Sequence, residues 1–529
     1  GANMGILRVD HPDILDFIGC KGGEHQFSNF NLSVAVNEDF MRAADEDKMY
    51  FLINPRNNQK VRSIRAREVF EGIVAGAWEN GEPGVIFLDR INRDNPTPRV
   101  GEIESTNPCG EQPLLAFESC NLGSINLSNM VQDNALDWER LDRTVQHGVH
   151  FLDNVIDMNC YPLPQIESMT KGNRKIGLGV MGFADMLIKL GIPYDSAQAI
   201  EMAERVMEFI QKEARQASRN LALQRGSFPN FKGSLLQGRW DAMRNATVTT
   251  VAPTGSLSII AGVSSGIEPI FALAFSRNVL DGTQLMEVNP LFLEIAKREG
   301  FYSEELIQEI EKIGDLENVS GVPERIKRLF ATAHQISAEY HIRMQAAFQK
   351  YTDNAVSKTV NLPHEATMDD VREVYRLAFQ LGCKGVTIYR DRSRSSQVLA
   401  KDPGASRVEI TAQEREPRPR GDVTFGMTRK MRTGCGNLYV TINEDEEGRL
   451  FEIFNQMGKA GGCGASQAEA IGRLVSLGLR SGIKPSSVIR QLSGISCHLP
   501  VWHQGGKILS CSDAIAKAIE SYTLHRQSP

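Results

Sequence analysis

The chain has 529 residues, room for one large or two to four ordinary domains, and its 41% hydrophobic and 23% charged content excludes a disordered or fibrous protein. Lys+Arg total 59 against Asp+Glu 65, a net charge of −6, which argues against a basic nucleic-acid binder. No apolar run reaches the ~18 uninterrupted residues of a membrane helix, and nine cysteines, an ordinary and odd number, point to a reduced cytoplasmic chain and not a disulfide scaffold.

The start, Gly1-Ala2-Asn3-Met4, has no basic region followed by an apolar stretch, so no signal peptide is expected. Phe30 to Val36 and Val85 to Leu88 read as short buried strands. Ala197 to Leu223 reads as a long amphipathic helix, with Met202, Val206, Phe209 and Ile210 at helical spacing, and Pro323 to Phe348 as another. Asp369 to Leu381 reads as a helix closed by Gly382 and followed by the strand Val386 to Tyr389. This alternation predicts an α/β body with parallel sheet, whose chemistry sits on loops at strand ends. From about Ala400 to Asp422 the chain is rich in Pro, Arg, Glu and Gly, a composition that reads as a solvated linker. Beyond it, Leu438 to Ile442, an acidic Gly turn and Leu450 to Phe454 form a hairpin, and Gln467 to Leu479 a helix, predicting a small α+β domain.

Three segments carry chemistry. In Ser105 to Met130, Asn107, Cys109 and Glu111 alternate with Pro108 and Gly110, and in extended backbone an amide, a thiol and a carboxylate would project to one side. Pro and Gly suit a tight loop end better than a strand interior. Cys120 follows 11 residues after Cys109, before a polar CNLGSINLS stretch. A carboxylate serves as a base, an amide orients hydroxyls, and a thiol acts as nucleophile, redox partner or hydrogen-atom donor; the plain alternative is a buried Cys, a turn-forming Asn-Pro and a solvated Glu. In Val251 to Phe275, an apolar strand runs into Pro253-Thr254-Gly255-Ser256, and free N–H groups at a helix start favour an anion, although GKS/T is absent and an ordinary N-capped turn is the commoner reading of such a segment. Gly177, Gly179 and Gly182 match G-x-G-x-x-G, which without a clear acidic partner reads as close packing where a helix begins.

Together these segments resemble the large chain of ribonucleotide reductases, specifically the adenosylcobalamin-dependent class II type. NPCGEQPL at 107–114 resembles that family's active-site loop, CNLGSINLS its second redox cysteine and APTGS at 252–256 its substrate-phosphate loop. NMGILRVDHPDILDFI, AWENGEPGVIFLDRINRDNP, GLGVMGFADMLIKLGIPYDS, SKTVNLPHEAT and GCKGVTIYRDRSR also fit, and TGCGNLYVTIN with GKAGGCGASQAEAIGRLVSLGLRSG resembles the TSCPD-type C-terminal domain. The resemblance implies most of a ten-stranded α/β barrel at 1–399, a linker at 400–424 and a TSCPD-like α+β domain at 425–524. It implies reduction of ribonucleotides, with diphosphates the favoured substrate. Adenosylcobalamin would initiate a thiyl radical on Cys109, Glu111 would take the 3′-hydroxyl proton, Asn107 would hold the substrate, and Cys120 would be one of two reducing thiols. Pro253, Thr254, Gly255, Ser256, Leu257 and Ser258 would cradle the phosphates. An external thioredoxin-like dithiol and a homodimer are the implied partners, with no nucleic acid and no membrane.

Two departures bear on this. The only cysteine before Cys109 is Cys20, whose context is a helix end and not the family's cysteine strand, and the first residues match the middle of the family. An N-terminal portion, supplied within a longer gene product or by another chain, is therefore expected to complete the barrel, and the Cys-x-x-Cys tail that usually closes the family is not seen. Cys160 and Cys383 read as buried packing residues. Cys435, Cys463, Cys497 and Cys511 read as small buried thiols, with structural zinc the alternative, and His334 and His341 lie seven apart on one expected helix. The competing readings are a class I-type large subunit with a separate radical-generating partner, and an inactive fragment that assembles with an intact reductase.

Overall fold

The computed structural model describes residues 2–21, 29–278, 284–391, 393, 417–458, 462–503 and 506–527. The chain forms two compact units, Gly1–Ser406 and Arg407–Pro529, and each is described by itself.

The first unit is organised by a row of short strands: β1 (Asn3–Arg8), β2 (Phe30–Val36), β3 (Gly84–Phe87), β4 (Asn121–Asn126), β5 (Ile176–Met181), β6 (Thr359–Leu362) and β7 (Gly385–Arg390). Their spatial order is β1-β2-β3-β7-β6 in one sheet and β5-β4 in another. Isolated parallel bridges, Leu178 to Thr249 and Val251 to Val356, carry the row from β6 through segment 249–251 to β5. Neighbours run parallel except at one seam, where β7 meets β3 antiparallel through only two residue pairs, Gly385–Ile86 and Val386–Val85. Strands buried on both faces need continuous apolar runs, and β3 and β5 are buried along their whole length.

Helices cover the row. Trp138–Met158 and Ala197–Arg225 turn Leu141, Val145, Val149, Leu152, Val206 and Ile210 into one core with β5, and Met368–Gln380 packs Val371, Val374 and Tyr375 into a second core with β3 and β7. Gly177 and Gly179 lie inside β5 and Gly182 starts the helix Phe183–Leu190. A β-carbon on Gly179 would lie 2.1 Å from the Thr250 carbonyl oxygen, so the glycine pattern here is a close strand-to-strand approach.

The expected helix over 323–348 is two helices, Glu324–Leu329 and Ala338–Gln349. Between them the Thr332 amide donates to Gln335 Oε1 at 2.8 Å and the Ala333 amide to the Ile270 carbonyl, so backbone donors that would continue a helix are spent elsewhere. Ser337 then caps the second helix by accepting from the Tyr340 amide. His334 falls in this break and not on a helix, while His341 is buried with Nε2 3.0 Å from the Ala333 carbonyl oxygen. Cys160 is exposed, contrary to expectation, whereas Cys383 is buried; Leu88, expected to end a strand, begins the helix Leu88–Arg93.

One buried carboxylate ties the helical layer to the inner strands. Asp153 is 0% exposed; its Oδ1 accepts from Arg174 Nε (3.0 Å) and from Asn245 Nδ2 (3.0 Å), and its Oδ2 from Arg244 Nε (3.1 Å). Arg174 leads into β5, and Arg244 and Asn245 lead into segment 249–251.

In the second unit, β8 (Phe425–Thr433), β9 (Gly436–Glu444) and β10 (Leu450–Met457) form an antiparallel meander. Its core sets Leu438, Val440, Ile442 and Ile453 against Ala468, Val475 and Leu479 of the helix Cys463–Arg480 and Ile515 and Ile519 of Cys511–Gln527. The expected linker falls outside the described residues at 400–416. Residues 417–424 hold to this unit: Arg418 donates to the Leu479 carbonyl at 3.1 Å and Arg420 pairs with Glu452 at 2.9 Å. Cys435 is exposed and Cys497 and Cys511 are partly buried, so these three are not the buried thiols expected; the Cys463 side chain lies outside the described residues. Among the described residues no group of three or more His, Cys, Asp or Glu could hold a metal ion, and no helix is long and apolar enough to cross a membrane.

Replacing Asp153 by Ala leaves the Arg174 and Arg244 guanidiniums with only the half-exposed Asp157 as counter-charge. Chemical denaturation of Asp153→Ala is expected to show a loss of about 3–5 kcal/mol in the first unit's transition; a loss under about 1 kcal/mol would show the hub to be incidental.

Candidate active site

The segment 107–112 is a loop closed by a two-pair hairpin, Ser105 opposite Leu114 and Thr106 opposite Pro113. Asn107 closes it from within. Its Oδ1 accepts from the Gln112 amide at 3.0 Å, its amide donates to the Gln112 carbonyl at 3.1 Å, and its carbonyl accepts from the Gly110 amide at 3.0 Å. Gly110 sits at φ +80°, a region strained for side-chain-bearing residues. The alternation expected of extended backbone is thus replaced by a turn, because the Asn107 side chain makes a better cap than a strand neighbour.

The row of strands holds this loop at several points. Asn31 Nδ2 on β2 donates to the Pro108 carbonyl at 2.8 Å. Thr250 Oγ1 and the Ala355 amide both donate to the Glu111 carbonyl, at 2.8 and 2.9 Å. Lys175 Nζ, just before β5, donates to the Pro113 carbonyl at 3.4 Å. A cavity of about 180 Å³ remains, lined by Cys109 together with Met4 of β1, Asn31 of β2, Val85 of β3, Thr387 of β7 and Lys358.

Cys109 is exposed at the loop tip. Desolvation, aided by the negative charge of Glu111, pushes its thiol up to about 11. Glu111 is buried, and its Oε2 has no hydrogen-bond partner; burial raises its carboxyl above the usual range, opposed by a hydrogen bond from Asn107. Cys120 immediately precedes β4 and is partly buried. Burial pushes its thiol far above the free-thiol range, Lys175 opposes that rise, and Glu118 and Glu111 add to it. One carboxylate, Glu111, therefore acts electrostatically on both thiols, and the structure brings Asn107, Cys109, Glu111 and Cys120 into one neighbourhood. Cys20 caps the helix Ile14–Gly19 beside Lys21, whose amine pairs at 2.6 Å with the cavity-lining Glu82.

Segment 249–251 continues from the contact with Glu111 into Pro253–Ser258. Thr254 has φ +56°, its Oγ1 accepts from the Gly266 amide at 2.8 Å, and Ser258 Oγ lies 2.8 Å from Ser265 Oγ. Both hydroxyls are thus spent inside the turn. Gly255, Ser256 and Leu257 are exposed in the first turn of the seven-residue helix Gly255–Ala261, where backbone N–H groups lack intrahelical acceptors. This turn connects to the cavity through Glu268, which accepts from the Thr359 amide at 2.8 Å and pairs with the fully buried Lys358.

Four residues escaped the sequence reading. Gln112 is buried with both side-chain amide atoms unpartnered, and Lys175, Glu118 and Lys358 are buried charges around the loop. A lysine at the edge of an apolar strand, as in RKIGLGV and SKTVNL, was the available signal.

A family model described as "Ribonucleotide reductase, barrel domain" matches residues 1–389, and one described as "TSCPD domain" matches residues 411–523. The chain belongs to the ribonucleotide reductase family. It is 54% identical over 401 residues to a vitamin B12-dependent ribonucleoside-diphosphate reductase of Thermoplasma acidophilum, covering 75% of the chain and 52% of that protein. It is 49% identical over 401 residues to the protein of the same description from Mycobacterium tuberculosis, covering 76% and 58%. Similarity to the vitamin B12-dependent ribonucleotide reductase of Rhodopirellula baltica, at 28% identity, extends over 98% of the chain and 58% of the relative. The chain thus spans little more than half the length of these relatives. The Actinobacillus ureae class Id ribonucleotide reductase alpha subunit shares the fold, with a TM-score of 0.60 at 23% identity over 73% of this chain and 70% of that one. The α/β barrel and TSCPD domain expected from the sequence are both found in this chain.

The raised thiol of Cys109 sets a pH profile. Its alkylation by iodoacetamide in the folded full chain, quantified by peptide mass spectrometry, is expected to be slow at pH 8 and to climb toward a midpoint near pH 11, since only the thiolate reacts. Glu111→Gln removes a like charge and is expected to lower that midpoint. An unshifted midpoint would mean that Glu111 does not act on Cys109.

Proposed function

We propose that the chain carries the catalytic core for reduction of ribonucleoside diphosphates to 2′-deoxyribonucleotides with adenosylcobalamin. The observation that carries this reading is the grouping of Cys109, Glu111 and Cys120 on a loop and strand start walled by the row, with one carboxylate acting on two thiols. The descriptions of the relatives supply the diphosphate and the cofactor.

The residues fit that cofactor's chemistry. A hydrogen-atom donor has to be a protonated thiol, and Cys109 is held protonated at neutral pH while remaining exposed at the loop tip. When bound, adenosylcobalamin would supply one-electron chemistry, and the cavity-lining Pro108, Cys109 and Gly110 would face it. Cys109 exchanges a hydrogen atom with C3′ of the ribose. Glu111 takes the 3′-hydroxyl proton on Oε2, which is buried and unpartnered and so needs no bond broken to receive it. Asn107 keeps Glu111 and the loop in place, which is a narrower task than holding the ribose. The C2′ hydroxyl leaves as water while Cys120 and a second thiol give two electrons and two protons and become a disulfide, which an external thioredoxin-like dithiol reopens. The N–H groups of Gly255, Ser256 and Leu257 face the phosphates. The setting is a cytoplasmic homodimer.

The test is CDP reduction with dithiothreitol and adenosylcobalamin. The chain is assayed alone and with residues 1–400 replacing the matching segment of the Thermoplasma acidophilum relative. The chimaera is expected to form deoxycytidine diphosphate, with Cys109→Ser lowering the rate by at least ~10³-fold and Glu111→Gln by ~10²-fold or more. Full turnover by Cys109→Ser would refute the reading.

A further inference from the structure

We propose that Lys175, with Glu118 as its counter-charge, is a positioning residue that sets the ionisation of the Cys120 thiol. The functional meaning of this rests on the reading of Cys120 as a redox thiol.

The register places the groups. Strands β4 and β5 pair in parallel with Asn121 opposite Ile176, so one step back along both chains sets Cys120 beside Lys175. Neighbouring strands lie ~4.8 Å apart. The Lys175 side chain is 1% exposed, and its ammonium donates to Glu118 Oε2 at 2.7 Å and to the Pro113 carbonyl. Glu118 is fixed in turn, because its Oε2 also accepts from the Leu115 amide at 2.9 Å and its Oε1 from Asn173 Nδ2 at 2.6 Å. Asn173 is itself held by Asn230 at 2.9 Å. Cys120 has one weak contact of its own, Sγ to the Asn121 carbonyl at 3.5 Å. The charged groups acting on it are Lys175 from the start of β5, Glu118 from the loop before β4, and Glu111 from the Cys109 loop.

A buried lysine–carboxylate pair is a poor way to stabilise a core, since apolar residues of the same volume often do as well or better. This pair joins the root of the Cys109 loop to the segment before β4, and the neighbouring Cys120 thiol gives it a use. At rest, Glu118 neutralises Lys175 and burial keeps Cys120 protonated. When an external dithiol opens the disulfide that includes Cys120, the S–S bond breaks and its electron pair is left on the departing sulfur. On Cys120 that charge sits beside the Lys175 ammonium in a low-dielectric setting until a proton arrives from water.

The experiment is Cys120 alkylation by iodoacetamide from pH 6 to 11 on the full chain, quantified by peptide mass spectrometry, with no cofactor or substrate present. Glu118→Gln is expected to raise the rate at pH 8 about tenfold, and Lys175→Met to cut it about tenfold. Lys175→Arg keeps the charge and is expected to stay near the wild-type profile. A purely structural role predicts faster alkylation in both charge-removing variants, because loosening exposes the thiol. Movement in the same direction, or no movement, overturns the proposal. Should Lys175→Met fail to fold, the nearly isosteric Glu118→Gln decides alone, since a rate at pH 8 that does not rise is incompatible with the proposal. The readout is the ionisation of Cys120, so it stands apart from the turnover assay that tests the reaction.

Discussion

A reactive loop walled by strands has little water to pair its peptide groups, and each unpaired buried group costs roughly 1–3 kcal/mol. The loop at 107–112 meets that constraint through partners drawn from distant parts of the chain: Asn31 from β2, Thr250 and Ala355 from two neighbouring inner segments, and Lys175 from the start of β5. Asn107 and Gln112 pair across the base. The position of Cys109 is therefore an outcome of the whole row, and the helical layer reaches it through Asp153, which fixes the residues leading into β5 and segment 249–251.

Two lysine–carboxylate pairs flank this loop, Lys175 with Glu118 and Lys358 with Glu268. Each brings a charge near the cavity and cancels it nearby. Local neutrality matters because an uncompensated ammonium would drive the thiols toward thiolate. Burial then dominates, and it moves Cys109, Cys120 and the Glu111 carboxyl all toward their protonated forms.

Much of this was legible in the residues, because short apolar runs and glycine punctuation mark the strands, and Asn, Cys and Glu in a Pro–Gly loop announce chemistry. The limits were physical ones. The break between 329 and 338 depends on the Ile270 carbonyl, a partner far away in sequence, so local periodicity read through it. Cys160 and three thiols of the second unit, Cys435, Cys497 and Cys511, looked buried because cysteine usually is, but exposure is decided by packing. Lys175 and Lys358 look like ordinary surface lysines until strand register brings carboxylates to them. The turn at 253–258 was visible as a turn, yet that Thr254 and Ser258 spend their hydroxyls inside it was not.

The two-pair seam between β3 and β7 has a geometric consequence. In an all-parallel barrel every strand ends at the same rim, and the loops of that rim can gather all the reactive groups. Here β1, β2 and β3 point one way and the remaining strands the other, so each rim receives carboxyl ends from only one of the two directions. Neither mouth can assemble a complete set of groups by itself. Delivering the thiol on a loop held by both sets of strands resolves this, since Asn31 of one set and Thr250 and Ala355 of the other all bond to it.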